Sequence, residues 1–163
     1  MKSTIKLLVI TLVILKNFTM LSQEKLLNDP DKIQLITVVE KTFAQGALNQ
    51  LNVEQMNKGF HSDFNILIAN GTNLFKLSLA KWIEVVNHYK NSPDKVKSGI
   101  RNLNYKIEVL DITDSIAIVK TQFFRNNELI ITDYLSYIKF EDSWKAVSKI
   151  SKEHISNPLK LEL

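Results

Sequence analysis

The feature that most constrains this chain is a succession of strand-like segments that fills residues 103–150 with turns of only two to four residues. Leu103, Tyr105, Ile107 and Val109 alternate with Asn104, Lys106 and Glu108, the period-two signature of a strand with one wet face. Residues 111–114 read as a turn into a strand over 115–124. Asn126-Asn127 turns into a strand over 128–140, and residues 141–143 turn into a last strand over 144–150. Connections this short join antiparallel neighbours, so this part of the chain predicts an antiparallel meander. A sheet needs something to bury its apolar face, and the preceding residues supply it.

Those residues read as helices. Asp29 can cap and Pro30 fits the first helical position, where its missing N–H costs nothing. Ile33, Ile36, Val39 and Phe43 recur at spacings of three and four, which marks one buried face. Gly46 is expected to end this helix. A short second helix follows Asn52 and closes at Gly59. Residues 60–63 read as a turn, residues 64–69 as a brief strand, Asn70-Gly71 as a hairpin turn and residues 73–77 as the return strand. Ser78 opens a third helix carrying Leu79, Trp82, Ile83, Val86 and Tyr89, and a polar loop follows from Asn91 to Gly99. The fold class expected is α+β: a cone-shaped domain with three N-terminal helices packed on a strongly curved, mainly antiparallel sheet, leaving a cavity between the layers.

The first residues read as targeting rather than structure. Lys2 and Lys6 precede an apolar run, residues 7–15, broken only by Thr11. A membrane span needs about 20 such residues, so residues 1–22 are expected to be a signal peptide and residues 23–163 the mature domain, with no stable membrane span after processing, a permanent N-terminal anchor being the alternative. Localisation is expected to be periplasmic or extracellular. The net charge of +4 owes much to this leader, because removing Lys2, Lys6 and Lys16 from 21 bases leaves 18 against 17 acids. A nearly neutral domain argues against nucleic acid as a partner. The chain has no cysteine, which excludes thiol nucleophiles and thiolate metal ligands.

Four segments carry a resemblance: Phe60-His61-Ser62-Asp63-Phe64, Trp82 in the third helix, Thr132-Asp133-Tyr134-Leu135, and Trp144-Lys145-Ala146-Val147-Ser148-Lys149. In their order and spacing the chain resembles the nuclear transport factor 2-like superfamily, home of SnoaL-like polyketide cyclases, ketosteroid isomerases and scytalone dehydratases. Within it the chain is most similar to the bacterial group labelled putative lumazine-binding proteins, over roughly residues 30–151. The resemblance implies a pocket, and that superfamily hosts enzymes, binders and adaptors alike.

The candidate ligand-binding residues are Phe60, His61, Asp63, Trp82, Tyr134 and Lys149, with His61 and Asp133 as candidate acid–base groups. A neutral imidazole oriented by Asp63 can act as a base, or His61 can pack at a rim while Asp63 caps the turn. Trp82 can line an apolar pocket or belong to the core. Adjacent strand residues point to opposite faces, so only one of Asp133 and Tyr134 can face a cavity. An Asp133 in an apolar row needs a partner, for which Lys149 is the candidate, or else serves as a pocket acid. Strict alternation puts Lys149 on one row with Val147, and Trp144, Ala146 and Ser148 on the other. Glu84 and His88 lie one helical turn apart without a third ligand, so no metal site is expected. Neither a phosphate-binding loop nor a dinucleotide fingerprint is present, so no cofactor is expected. Three readings follow: an exported domain binding a small apolar or aromatic ligand, an isomerase-, cyclase- or dehydratase-type enzyme, or a structural dimerisation domain. Both rows of residues 128–140 are largely apolar and call for cover on each side, which predicts a homodimer.

Overall fold

The computed structural model describes residues 29–155; the expected leader, residues 1–22, lies outside the described residues. The chain forms two compact units that meet in sequence at Gln34 and Leu35. In the first, the Asp29 carboxylate accepts the Asp31 N–H at 3.0 Å and the Asp29 carbonyl accepts from Ile33, opening helix α1 (Pro30–Val38). Among the described residues no helix is long and apolar enough to cross a membrane.

The second unit begins within α1, which widens into a π-helical segment over Val39–Asn49. Its hydrogen bonds reach back five residues, as where the Gln50 N–H meets the Gln45 carbonyl at 2.8 Å. Widening carries Val39, Phe43 and Ala47, each four residues apart, into the core. Gly46 therefore does not end the helix, contrary to expectation. A Cβ at Gly46 would lie 2.6 Å from the Lys41 carbonyl oxygen and 2.9 Å from Gln55 Cβ, so its smallness admits helix α2 (Val53–Gly59) at close range. The chain turns between them at Leu51, where φ is 55°, and Asn52 caps α2 through Gln55 N–H.

Strand β1 (Phe60–Asn70) starts directly after α2, four residues earlier than the sequence pattern suggests. It pairs with β2 (Asn73–Ser78) through a turn at Gly71 and with the last strand in parallel. Ser78 caps α3 (Leu79–Lys90) through Lys81 N–H. Part of the expected polar loop is a short helix, α4 (Pro93–Lys97), with Pro93 in its first turn. The meander then runs β3 (Asn104–Thr113), β4 (Ile116–Arg125), β5 (Glu128–Phe140) and β6 (Ser143–Glu153). The β3–β4 turn falls later than expected, at Asp114 with φ 50°, and Asn126 and Asn127 both take positive φ in the β4–β5 turn.

The six strands lie in the order β2-β1-β6-β5-β4-β3. The result is the α+β fold expected, with a curved mixed sheet of which only the β1–β6 pairing is parallel. Curvature comes from extra residues that break register. Leu110 in β3, Ile130 in β5 and Val147 in β6 each lack a partner on the neighbouring strand, and such bulges bend and twist the strand that holds them. The core sits between the sheet's inner face and the helices. Asn49 fastens the π-helical segment to the start of β3 by two bonds: its amide donates to the Leu103 carbonyl at 3.0 Å and its oxygen accepts the Leu103 N–H at 3.2 Å. Tyr105 ties the same segment lower down, receiving a hydrogen bond from Gln45 and donating one to Glu40.

Candidate functional site

The question that alternation left open on β5 is answered by its neighbours. Asp133 pairs with Thr121 on β4 and Ser151 on β6, whereas Tyr134 pairs with Lys120 and Ile150. Asp133 and Thr121 are fully buried, and Tyr134 is 40 % exposed. The Asp133 row, with Leu135 and Tyr137, is therefore the inner face, and Tyr134 faces out.

Lys149 required a correction of the same kind. Tyr137 pairs with Ala146 but Ser136 pairs with Ser148, so Val147 is the extra residue. One inserted residue inverts the alternation beyond it. Trp144 and Ala146 point inward before the bulge, and Lys149 and Ser151 do so after it, so Lys149 shares the face of Trp144 rather than opposing it.

That inversion builds a buried polar cluster. Lys149 Nζ lies 2.8 Å from Asp133 Oδ1 and donates to Ser151 Oγ at the same distance. Ser151 Oγ–H donates to the same Asp133 oxygen. The ammonium also sits 5.6 Å from the centre of the Phe43 ring, within cation–π range. Ser151 is exposed, so the cluster reaches from the core to the surface along β6. Asp133 Oδ1 is thus saturated, whereas Asp133 Oδ2 has no hydrogen-bond partner among the described residues, nor has Thr121 Oγ1. Farther along the inner face the Tyr137 hydroxyl and Trp144 Nε1–H are also buried without partners. Burial alone pushes the Tyr137 hydroxyl well above the ordinary tyrosine range. Four orphaned polar atoms on one face are unusual, because each left unmade costs on the order of 1–3 kcal/mol.

The other expected site residues lie elsewhere. Phe60 and Trp82 belong to an aromatic cluster with Phe43 and Phe64, with ring centres 4.7–6.3 Å apart. Trp82 is 4 % exposed and packs as core. His61 stacks on Phe140 with ring centres 4.9 Å apart, and its Nδ1 accepts the Asp63 N–H and lies 3.6 Å from the Asp63 carboxylate. The Asp63 side chain is almost fully exposed. Phe140, like Tyr134, belongs to the outer row of β5, so His61 and Asp63 do not converge with Asp133 and Lys149. Thr121, Ser151 and Tyr137 escaped the sequence reading. Pairing Thr121 with Asp133 needed the β4–β5 register, and placing Ser151 beside it needed the bulge. Among the described residues no group of three or more His, Asp or Glu is placed to hold a metal ion.

Comparison with known proteins gives a fold and a family description. Residues 31–151 match the model of a family described as putative lumazine-binding. No curated protein matches. Among solved structures, a nuclear transport factor 2-like protein of unknown function from Silicibacter pomeroyi superposes with a TM-score of 0.59 at 16 % identity, over 76 % of this chain and 96 % of that one. A similar protein from Methylobacillus flagellatus gives 0.56 at 23 % identity, over 78 % and 95 %. The CaMKII hub homology domain of the alga Chlamydomonas reinhardtii gives 0.52 at 13 % identity, over 77 % and 99 %. At these identities the likeness is one of fold.

Proposed function

We propose, for a chain that belongs to the putative lumazine-binding family and has the nuclear transport factor 2-like fold, that it is an exported, homodimeric domain binding a small molecule. The ligand seats against the sheet's inner face, under Phe43. The observation that carries this reading is the cluster of Asp133, Lys149, Ser151 and Thr121, which holds buried polar atoms in an otherwise apolar wall. A core with no ligand to meet gains nothing from Asp133 Oδ2 and Thr121 Oγ1 left unpaired. Binding sites are built this way, from apolar surface with a few placed polar groups. The neighbouring apolar residues are Phe43, Phe123, Val119 and Leu135, all fully buried.

Native mass spectrometry of the full-length protein from its own cells tests this. A small mass that stays with the folded protein, is released on denaturation and is lost or weakened in Thr121→Val supports the reading. Absence of any such mass, together with no saturable thermal shift across a library of neutral and anionic metabolites, refutes it. The same preparation tests export, since the mature chain should begin near Gln23. A soluble cytosolic protein retaining residues 1–22 would refute that part.

A further inference from the structure

We propose that Arg101 and Arg125 together bind an oxyanion, the carboxylate or phosphate group of a small molecule, where the end of the π-helical segment meets the start of β3. This site is separate from the inner-face cluster and does not depend on it.

Strand pairing brings the two arginines to one place. Tyr105 and Phe123 are direct neighbours across β3 and β4, and both point inward. Leu103 and Arg125, each two residues beyond that pair, continue the same row. Leu103 is buried, and its N–H also donates to the Arg101 carbonyl at 2.9 Å. Arg101 then reaches back to the helix. Its Nε–H donates to the Leu48 carbonyl at 2.9 Å, and its guanidinium carbon lies 4.6 Å from the centre of the Tyr89 ring.

Neither arginine has a countercharge. Among the described residues no carboxylate forms an ion pair with Arg101 or Arg125, although Glu128 stands directly opposite Arg125 on β5. Arg125 Nη1 is buried without a hydrogen-bond partner, and Arg101 bonds through Nε alone. Burial holds the Arg101 guanidinium below the usual arginine range, opposed only by Tyr89. The neighbouring chain adds to the surplus, with His88, Lys90, Lys95 and Lys97 against Asp94.

Fastening the end of a helix needs only the Nε–H of Arg101. The two terminal nitrogens left over form the edge that meets a carboxylate or phosphate by two parallel bonds. The Leu48 bond and the Tyr89 ring already fix that edge, so a ligand has little side-chain freedom to remove. Access is from solvent: Arg101, Arg125 and Tyr89 are half-buried, and Ser98 and Asn102 are exposed. An anion therefore arrives without opening the core. A cation would be repelled, and an uncharged molecule would leave both charges uncompensated.

Three probes with one ring test the charge: benzoate, phenyl phosphate and benzamide, titrated at constant ionic strength into isotope-labelled full-length protein and followed by amide NMR. The expected result is saturable movement of the amides of residues 100–103 and 125–127 with benzoate, phenyl phosphate or both, and none with benzamide. The tighter of the two anions then tells which group the site was built for. Arg101→Lys keeps the charge but loses the planar edge, and should weaken the anion at least about tenfold. Arg125→Gln, at the end of a strand, should weaken it as well, while Thr121→Val on the inner face should leave it unchanged. Wild-type affinity in Arg101→Lys would mean that Arg101 only fastens the helix end, and overturns the site. Wild-type affinity in Arg125→Gln overturns the two-arginine assignment. Equal binding of benzamide, or shifts that never saturate and that sodium chloride reproduces, overturns the proposal as a whole and leaves the inner-face reading untouched.

Discussion

Asp133 and Lys149 show how much a single contact can depend on its partner. Each is buried, and each is tolerated there only because the other is 2.8 Å away. Lys149→Met leaves a buried carboxylate with Ser151 alone and should cost about 3–5 kcal/mol, the range for breaking a buried pair. Adding Asp133→Asn removes the stranded charge, and the double variant should recover most of that loss. Urea denaturation measures both, and a double variant no more stable than Lys149→Met would show that the charges do not act as a pair. Tyr137 gives a pH signature. Burial keeps its proton in the folded state at pH values where the unfolded chain releases it. Its contribution is therefore complete below pH ~10 and declines as pH rises further, by up to about 1.4 kcal/mol per unit. Tyr137→Phe should lose one proton's worth of that alkaline slope in melting experiments from pH 8 to 11, with neutral stability held or raised.

At the scale of elements, the close packing of helices depends on two glycines that look like helix breakers. A Cβ at Gly59 would fall 1.9 Å from Thr42 Oγ1 and 2.2 Å from Thr42 Cβ. The Thr42 side chain is itself buried and bonded to the Val38 carbonyl at 2.7 Å. Gly59→Ala should therefore destabilise by about 1–3 kcal/mol through overpacking, against a helix-propensity gain of up to ~1 kcal/mol. Chemical denaturation reads the net effect, and a stabilised Gly59→Ala protein would mean that α2 can shift away from the π-helical segment without cost. The bulges act at the same scale. Val147 is the extra residue of β6, and its accommodation in a bulge rather than in the ladder puts Lys149 opposite Leu135 on the inner face. Deleting Val147 leaves Ala146 opposite Tyr137, Ser148 opposite Ser136 and Lys149 opposite Leu135, so Lys149 should stay inward. Lys149→Met should then cost as much in urea denaturation with Val147 deleted as with it present.

For the whole molecule, the outer face of the sheet is the largest open question of burial. Ile118, Tyr134 and Ile150 are 39–51 % exposed on β4, β5 and β6, and Tyr134 and Ile150 are directly paired. Such a face is a natural surface for a two-fold contact with a second copy. The homodimer proposed above predicts twice the monomer mass in light scattering at high micromolar concentration. Ile118→Lys with Ile150→Glu should then shift the protein to monomer while its circular dichroism is retained, because neither side chain is in the core. A wild-type protein that scatters as a monomer would refute the proposal.

Much of this could be read from the sequence because it depends on local chemistry. Period-two alternation, asparagine-rich turns and capped apolar helices are short-range signals, and they located the four strands of the meander, α2 and α3. The need of Asp133 for a cation, with Lys149 as the candidate, was also legible, since an acid in an apolar row cannot stay unpaired. What the sequence could not determine was everything carried by an extra residue or by a neighbouring strand. The bulge at Val147 has no local signature, yet it turns Lys149 inward. The same limit hid the part played by Gly46, whose missing side chain leaves room both for the Lys41 carbonyl of the widened helix and for Gln55 of α2. The partner of Thr121 and the exposure of Tyr134 belong to the register between strands, which packing sets. Local pattern determined the elements. Tertiary structure decided which of their polar atoms would be buried together, because that depends on contacts between residues far apart in the chain.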